Sequence, residues 1–158
     1  MIYITREWAM PNKRTFGIKP INKLIGAYTF GEWVDPFPYP FVKDAIEYLK
    51  EFVDGSVSRI LFDPPYSPRQ LKECYDEKGE SLHNTTSRVW AKWKDEIARV
   101  VCPGGICISF GWSSNGLGIK RGFEIERILL IAHGGNHNDT LCVVERKVNH
   151  NLDKFVNG

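Results

Sequence analysis

The sequence predicts an α/β domain with a mostly parallel sheet and a C-terminal antiparallel hairpin. Helical and strand-like segments alternate along the first part of the chain, which is typical of parallel α/β architecture. Ile106 to Phe110 is a continuous apolar run, as expected for a buried parallel strand. Two further strand-like runs, 124–132 and 140–147, are joined by a short glycine-containing connector, and this arrangement predicts the hairpin.

The remaining elements follow from local patterns. Pro20 suits the first turn of a helix that continues to about Tyr28. Apolar residues at a spacing of three to four predict an amphipathic helix over 41–53, and a further helix is predicted over 90–101. Short strands are predicted at 31–35 and at 59–62.

The chain of 158 residues predicts a single domain, 1–158, large enough for one sheet covered on both faces. Residues 1–19 mix aromatic, proline, glycine and charged residues, and we expect them to form an irregular N-terminal arm. The long polar segment 67–87 is predicted to be a mobile functional loop.

Composition limits the functional classes. A formal charge of +2 means that any nucleic-acid surface must be a local patch. The four cysteines lack the paired close spacing of a metal or redox motif, which favours a reduced intracellular chain. The start of the chain does not resemble a signal peptide and no apolar run is long enough to cross a bilayer, so we expect a cytoplasmic protein without a membrane partner.

The segment Asp63-Pro64-Pro65-Tyr66 gives the strongest indication of chemistry. It follows an apolar strand, which predicts a position at the edge of the sheet where open α/β folds bind ligands. Proline fixes φ and has no N–H, so the two carbonyls are held rigidly. A planar amine could donate its hydrogens to the Asp63 carboxylate and the Pro64 carbonyl while Tyr66 stacks on the ring. A simple turn between strand and loop is the alternative.

These four residues resemble the catalytic motif of enzymes that methylate amino groups in nucleic acids. Further segments, in the same order, resemble the small adenine-specific DNA methyltransferases of viruses and prophages: Glu7–Pro11, Thr15–Phe16, Ile18–Ile21, Asp35–Phe37, Asp63–Arg69, Pro103–Gly105, Ser109–Trp112 and Ala132–Thr140. The match continues to about Arg146. It implies a shortened Rossmann-like methyltransferase fold, S-adenosylmethionine as cofactor, adenine N6 as methyl acceptor and, for a viral protein, the host cytoplasm.

The resemblance also implies roles for individual residues. The catalytic set is Asp63, Pro64, Pro65 and Tyr66, and the cofactor-binding set is Phe16, Lys19, Asp35, Phe37 and Asp44. The alternatives are a solvated lysine at Lys19, a turn residue at Asp35 and a helix-surface charge at Asp44. Only 27 residues separate Asp35 from Asp63. Because a βαβ unit needs about 30 residues, the strand that carries the ribose-binding acidic residue is predicted to be missing.

Contacts with double-stranded DNA are predicted for basic residues around segment 67–87 and for one asparagine. If DNA is the substrate, phosphate contacts are expected from this group: Arg69, Lys72, Lys78, Arg88, Lys92 and Lys94. A solvated surface of mixed charge is the alternative. Ser109, Trp112 and Asn115 follow a strand beside the catalytic one and could line a pocket for the target base, with a polar turn as the equal alternative.

The connector 133–139 predicts no metal site. His133 and His137 are four residues apart, but the glycines between them argue against the helix that would bring both onto one face. A hairpin turn, or a contact with DNA or another subunit, is favoured.

The leading hypothesis is a site-specific DNA adenine-N6 methyltransferase that acts as a homodimer on a palindromic site. Three alternatives stay open. The first is a degenerate, non-catalytic DNA-binding or interaction protein, and the second is a cytosine-N4 methyltransferase. The third is an enzyme that methylates RNA or a protein amide.

Overall fold

The computed structural model describes residues 1–38, 43–65 and 86–148, with side chains of the last range from residue 88. Within these residues the chain forms one six-stranded sheet in the order β1-β5-β6-β4-β3-β2. The strands are β1 (Tyr3–Trp8), β2 (Trp33–Val34), β3 (Val57–Phe62), β4 (Val101–Gly111), β5 (Phe123–Ala132) and β6 (Thr140–Lys147).

Five of these strands run in one direction, and β6 is antiparallel to both of its neighbours, β4 and β5. Strands β5 and β6 follow each other along the chain, so the predicted hairpin around 133–139 is confirmed. The predicted fold class, a shortened Rossmann-like α/β fold with a mostly parallel sheet, is confirmed as well.

Helices cover both faces of the sheet. Helix α1 (Lys19–Gly26) lies on one face, where Ile21 and Leu24 belong to a core with Ile108 and Leu129. Helices α2 (Ala45–Leu49) and α3 (Thr86–Val100) lie on the other face in a second core. Its members include Leu49, Ile60, Phe62, Trp93, Ile97 and Cys107. The sheet is therefore the middle layer of three, as the sequence predicts.

The expectation that residues 1–19 form an irregular arm is wrong for residues 3–8. This segment is the edge strand β1 and pairs in parallel with β5, from Tyr3 opposite Arg127 to Trp8 opposite Ala132. All six residues of β1 except Thr5 are exposed. A strand that is exposed to solvent on both faces has no alternation of apolar and polar residues, so hydrophobic periodicity gave no signal for it.

Only one βα unit separates β2 from β3. Strand β2 pairs with β3 through Trp33 opposite Arg59 and Val34 opposite Ile60, and in the described residues it is the edge of the sheet. This agrees with the single βα step that the spacing between Asp35 and Asp63 predicts.

Helix α2 is shorter than the predicted span of 41–53, of which residues 41 and 42 lie outside the described part. The side chain of Arg99 in α3 caps the C-terminal end of α2. Its Nη2 donates to the Leu49 carbonyl at 2.9 Å, and its Nη1 donates to the Phe52 carbonyl at 2.9 Å and to Asp54 Oδ1 at 2.6 Å. The carbonyls at the helix end thus find a partner on the neighbouring helix, which fixes α2 against α3.

Helix α3 begins at Thr86, inside the segment predicted to be a mobile loop, while residues 67–85 of that segment lie outside the described residues. None of the helices in the described ranges is long and apolar enough to cross a membrane.

Replacing Arg99 with methionine should lower the free energy of unfolding by about 1–3 kcal/mol, because the carbonyls of Leu49 and Phe52 lose a charged donor. Urea denaturation followed by circular dichroism measures the difference. Arg88→Met is the matched control, since Arg88 is exposed on the same helix. Equal stabilities of the two variants would contradict this role of Arg99.

Candidate active site

The carboxyl ends of three neighbouring parallel strands meet at one edge of the sheet. Asp35 follows β2, Asp63 follows β3, and Trp112 follows β4. Phe62 is the register partner of Ser109, so the chain leaves β3 directly beside the end of β4. This edge is where open α/β sheets bind ligands, and it contains the predicted catalytic segment.

The described part of that segment is Asp63-Pro64-Pro65, with Pro64 buried and its two neighbours half-buried. Tyr66 lies outside the described residues, as do the proposed DNA contacts Arg69 and Lys72. The positions of Asp63 and Pro64 at a strand end agree with the expectation, while their catalytic role stays a prediction.

The Asp35 and Asp63 carboxylates influence each other. Burial raises the pKa of Asp35 from 3.8 to about 6; the hydrogen bond that it accepts from the Phe37 N–H at 3.0 Å lowers the pKa, and the charge of Asp63 raises it. Burial, together with the charge of Asp63, also raises the pKa of Cys142 to about 12. Asp35 therefore ionises less readily than an ordinary aspartate, mainly because it is partly buried and in addition because Asp63 is close.

A cavity of about 340 Å³ opens beside this edge, against the helix α3 side of the sheet. Its lining includes Phe62, Trp90, Lys94, Ser109, Trp112 and Asn115. Ser109, Trp112 and Asn115 are thus brought to one cavity, as expected for a base pocket. Asp63 itself is not among the described lining residues, although it directly follows Phe62.

The wall of the cavity that contains Asn115 and Gly116 is held by Glu145, a fully buried residue of β6. The two carboxylate oxygens of Glu145 accept the backbone N–H groups of Leu117 at 2.7 Å and Gly118 at 2.9 Å. Burial raises the pKa of Glu145, and these two hydrogen bonds and the charge of Lys94 lower it.

Glu145 also restricts what can occupy position 116. Gly116 has φ +50°, and an added Cβ would lie 2.3 Å from one oxygen of Glu145. Sequence patterns did not identify Glu145. Its position directly after the apolar run Leu141–Val144 was a signal, since a buried charge requires partners.

Asp44 and Phe37, which the resemblance assigns to a cofactor, have structural contacts within the protein. Asp44 is the N-cap of α2, and its Oδ1 accepts the N–H groups of Ile46 at 2.9 Å and Glu47 at 3.1 Å. Phe37 is 7% exposed and its ring packs 4.8 Å from that of Trp93. These contacts explain why an aspartate suits position 44 and a phenylalanine suits position 37. Contacts of Asp44 and Phe37 with a cofactor stay predictions.

Phe16 and Lys19 lie together at the start of α1. The Phe16 ring is half-buried and makes an edge contact with Phe110 at 5.3 Å, while Lys19 is exposed at the first position of the helix. Phe110 belongs to β4, so Phe16 reaches the carboxyl end of the central sheet from the face opposite α3.

The connector 133–139 is a structural turn. The Nδ1 atom of buried His133 lies 2.8 Å from the Ala9 carbonyl oxygen, and its Nε2 atom lies 2.8 Å from the Thr140 hydroxyl. His137 is exposed. In the described parts of the chain, no three His, Cys, Asp or Glu residues are grouped so that they could bind a metal ion.

No protein-family model matches the chain, and no curated protein matches it. Among solved structures it is similar to three crystal structures of a candidate DNA modification methylase from Thermus thermophilus. These have 20%, 19% and 17% identity and TM-scores of 0.46, 0.48 and 0.45; the second is a selenomethionine derivative and the third a complex with S-adenosyl-L-methionine. The similarity covers 68% of this chain and 53%, 53% and 52% of those chains, so the chain spans about half their length. At this level, the similarity does not assign a function.

The stability of the protein should depend on pH through Asp35. Its pKa is higher in the folded chain, about 6, than the ordinary 3.8, so ionisation of Asp35 destabilises the fold. The penalty is absent below pH 3.8 and is complete above about pH 6. Asp35→Asn should therefore gain about 1–2 kcal/mol relative to wild type across this window, after allowance for solvent screening.

Urea denaturation at a series of pH values measures this gain. Glu32→Gln, at an exposed carboxyl, serves as the control for the loss of one negative charge. A stability difference between Asp35→Asn and wild type that does not change with pH would contradict the prediction.

Glu145→Gln should destabilise the protein by about 1–3 kcal/mol, because an amide offers one acceptor oxygen to two buried N–H groups. Hydrogen exchange at the Leu117 and Gly118 amides should accelerate more than exchange elsewhere in the sheet. Glu124→Gln, at an exposed position of β5, is the matched control. Unchanged exchange at both amides would refute the role of Glu145 in holding the cavity wall.

Proposed function

We propose that the protein is an S-adenosylmethionine-dependent methyltransferase that acts on adenine N6 in double-stranded DNA. The observation that supports this most strongly is the position of Asp63-Pro64-Pro65 at the end of β3. Beside it lie a second carboxylate, Asp35, and a cavity of about 340 Å³. A surface turn would not need a buried proline or converging strand ends.

The proposed catalytic segment acts by orientation. The Asp63 carboxylate and the Pro64 carbonyl accept the two hydrogens of the exocyclic amine, which directs the nitrogen lone pair out of the plane of the base. The fixed φ of proline keeps the acceptor in place, so little entropy is lost when the amine binds. Tyr66, the last residue of the segment, stacks on the base.

The charge at the site suits the cofactor. Bound S-adenosylmethionine is a sulfonium cation and supplies an activated methyl group. Asp35 is partly buried close to Asp63, and its ionised carboxylate would attract the positive charge of the sulfonium. Further contacts, proposed from the family resemblance, come from Phe16, Lys19, Phe37 and Asp44.

Duplex DNA requires the target base to leave the helix, at a cost of a few kcal/mol. Stacking on Tyr66 offsets about 1–3 kcal/mol of this cost. The cavity beside β4 offers the room that an extruded nucleotide needs. DNA contacts are proposed for Arg69, Lys72, Arg88 and Asn115, and a homodimer would read both halves of a palindromic site. We place this activity in the cytoplasm, or in the host cytoplasm for a viral protein.

A second candidate is a non-catalytic DNA-binding or interaction protein. It is favoured by one observation: β2 is the edge of the sheet in the described residues, so these contain no further strand with an acidic residue for the cofactor ribose. The intact segment Asp63–Pro65 favours the enzyme.

In the decisive experiment, the purified protein is incubated with methyl-labelled S-adenosylmethionine and mixed-sequence duplex DNA. The DNA is then digested to nucleosides. We expect labelled N6-methyladenine, and Asp63→Ala should reduce the rate at least about 100-fold, because the amine loses its orienting acceptor. The circular dichroism spectrum of Asp63→Ala should match that of wild type.

The other outcomes separate the alternatives. Labelled N4-methylcytosine alone would replace adenine with cytosine as the target. Absence of label in DNA, RNA and protein, together with no cofactor binding in calorimetry, would favour the non-catalytic protein.

A further inference from the structure

The outer edge of β1 has no neighbouring strand in the described part of the chain. Strongly exposed large apolar side chains are concentrated around this edge. Of the ten such residues in the described ranges, six lie within residues 1–10: Met1, Ile2, Tyr3, Ile4, Trp8 and Met10. Soluble monomers rarely leave a large group of apolar side chains in contact with water. This edge is therefore a candidate interaction surface.

The main-chain groups at the outer edge can be assigned from Ala9, which directly follows β1. The Ala9 N–H donates to the Ala132 carbonyl at 3.1 Å, and the Ala9 carbonyl oxygen lies 2.8 Å from Nδ1 of His133. Both main-chain groups of Ala9 thus point toward β5. Because the direction of these groups alternates along a strand, those of Ile4 and Arg6 point outward. They are the donors and acceptors with which another strand can pair.

Strand β1 lacks most of the features that protect edge strands against pairing, such as prolines, bulges and several charges. It contains no proline and pairs with β5 without a register shift, and Tyr3, Ile4 and Trp8 are 64%, 69% and 65% exposed. Its two charged residues, Arg6 and Glu7, are adjacent and therefore lie on opposite faces of the strand. Each face of β1 thus has only one charged position.

These two charges determine which strand can pair with β1. In a two-fold symmetric antiparallel pair, the residue on the axis lies opposite itself, and its neighbours pair across the axis. With Thr5 on the axis, Ile4 lies opposite Arg6 of a second copy. Tyr3 then lies opposite Glu7 of that copy, where its hydroxyl can donate to the carboxylate. With Arg6 on the axis, two arginines would be directly opposite each other, which is unfavourable.

The position of Trp8 favours the same register. With Thr5 on the axis, Trp8 lies opposite Ile2 of the second copy, so two exposed apolar side chains leave water together. With Ile4 on the axis, Ile2 would lie opposite Arg6 instead, and Trp8 would lose this contact. The strand is therefore complementary to itself in one register, and this favours a second copy of the chain as its partner.

We propose that β1 pairs in antiparallel orientation with β1 of a second copy of this chain, with Thr5 on the two-fold axis. The pairing joins two six-stranded sheets into one continuous sheet, and Ile4 of each copy exchanges two main-chain hydrogen bonds with Arg6 of the other. Strand direction reverses across the axis, so the two candidate active sites face opposite directions. This dimer therefore differs from one that brings both sites to the same side of a palindromic DNA site.

The test measures the dissociation constant of the dimer by analytical ultracentrifugation of the full chain, without DNA or cofactor. Ile4→Lys places a lysine opposite Arg6 of the other copy at two symmetric positions, and it should raise the dissociation constant about tenfold. Ile4→Glu places a carboxylate opposite the same arginine and should keep the wild-type affinity or improve it.

Val53→Lys is the matched control for Ile4→Lys and should keep the wild-type dissociation constant. Val53 is 74% exposed and follows α2, so this variant also replaces an exposed apolar side chain with a lysine. Because Ile4 lies mostly in water, all three variants should have the circular dichroism spectrum of wild type.

A wild-type protein that is monomeric at every concentration would overturn the proposal. Equal dissociation constants for Ile4→Lys and Ile4→Glu would also overturn it, since the register requires opposite effects of the two charges. A dimer that forms only on DNA, equally in both variants, would assign dimerisation to another surface. Because the test uses no substrate, its result does not depend on whether the protein methylates DNA.

Discussion

The site depends above all on the parallel pairing of β3 with β4. This register sets Phe62 opposite Ser109, and every feature at the edge of the sheet follows from it. Asp63 and two prolines follow β3, and Trp112 follows β4. The rigid acceptor segment and one wall of the cavity therefore lie side by side. Ile60 and Cys107, also register partners, are completely buried. A one-residue shift of this register would turn the side chains of β3 to the opposite face of the sheet and disturb the packing of both cores.

The order and type of the central elements could be predicted because their patterns come from burial. The strand Val57–Phe62 is buried on both faces of the sheet, so it ends in the apolar run Ile60–Phe62. The helix Thr86–Val100 buries one face, which leaves a helical period in the sequence. Strand β1 was not predictable in this way, since it is held by main-chain pairing with β5 and its side chains are mostly exposed. The predicted α2 was too long, and at its observed end Arg99, which is distant in sequence, donates to the Leu49 carbonyl.

The place of Asp63 in the fold could be predicted from one residue, whereas contacts between distant residues could not. Asp63 follows a strand, and that alone puts it at the edge where open α/β sheets bind ligands. Asp44 caps α2 through Ile46 and Glu47, as local sequence permits, and its contact with a cofactor stays a prediction. The support of Gly116 by Glu145 joins residues far apart in sequence, and no local pattern reports such a contact.

The position of β1 has a consequence for the assembly of the fold. Within the described residues, β1 pairs only with β5, which is distant from it in sequence, and β5 also pairs with β6. Local contacts form early in folding, whereas contacts between distant segments must first overcome the entropy of closing the intervening chain. During synthesis, β1 therefore stays unpaired until β5 has emerged, and its docking is a late step in the assembly of this sheet.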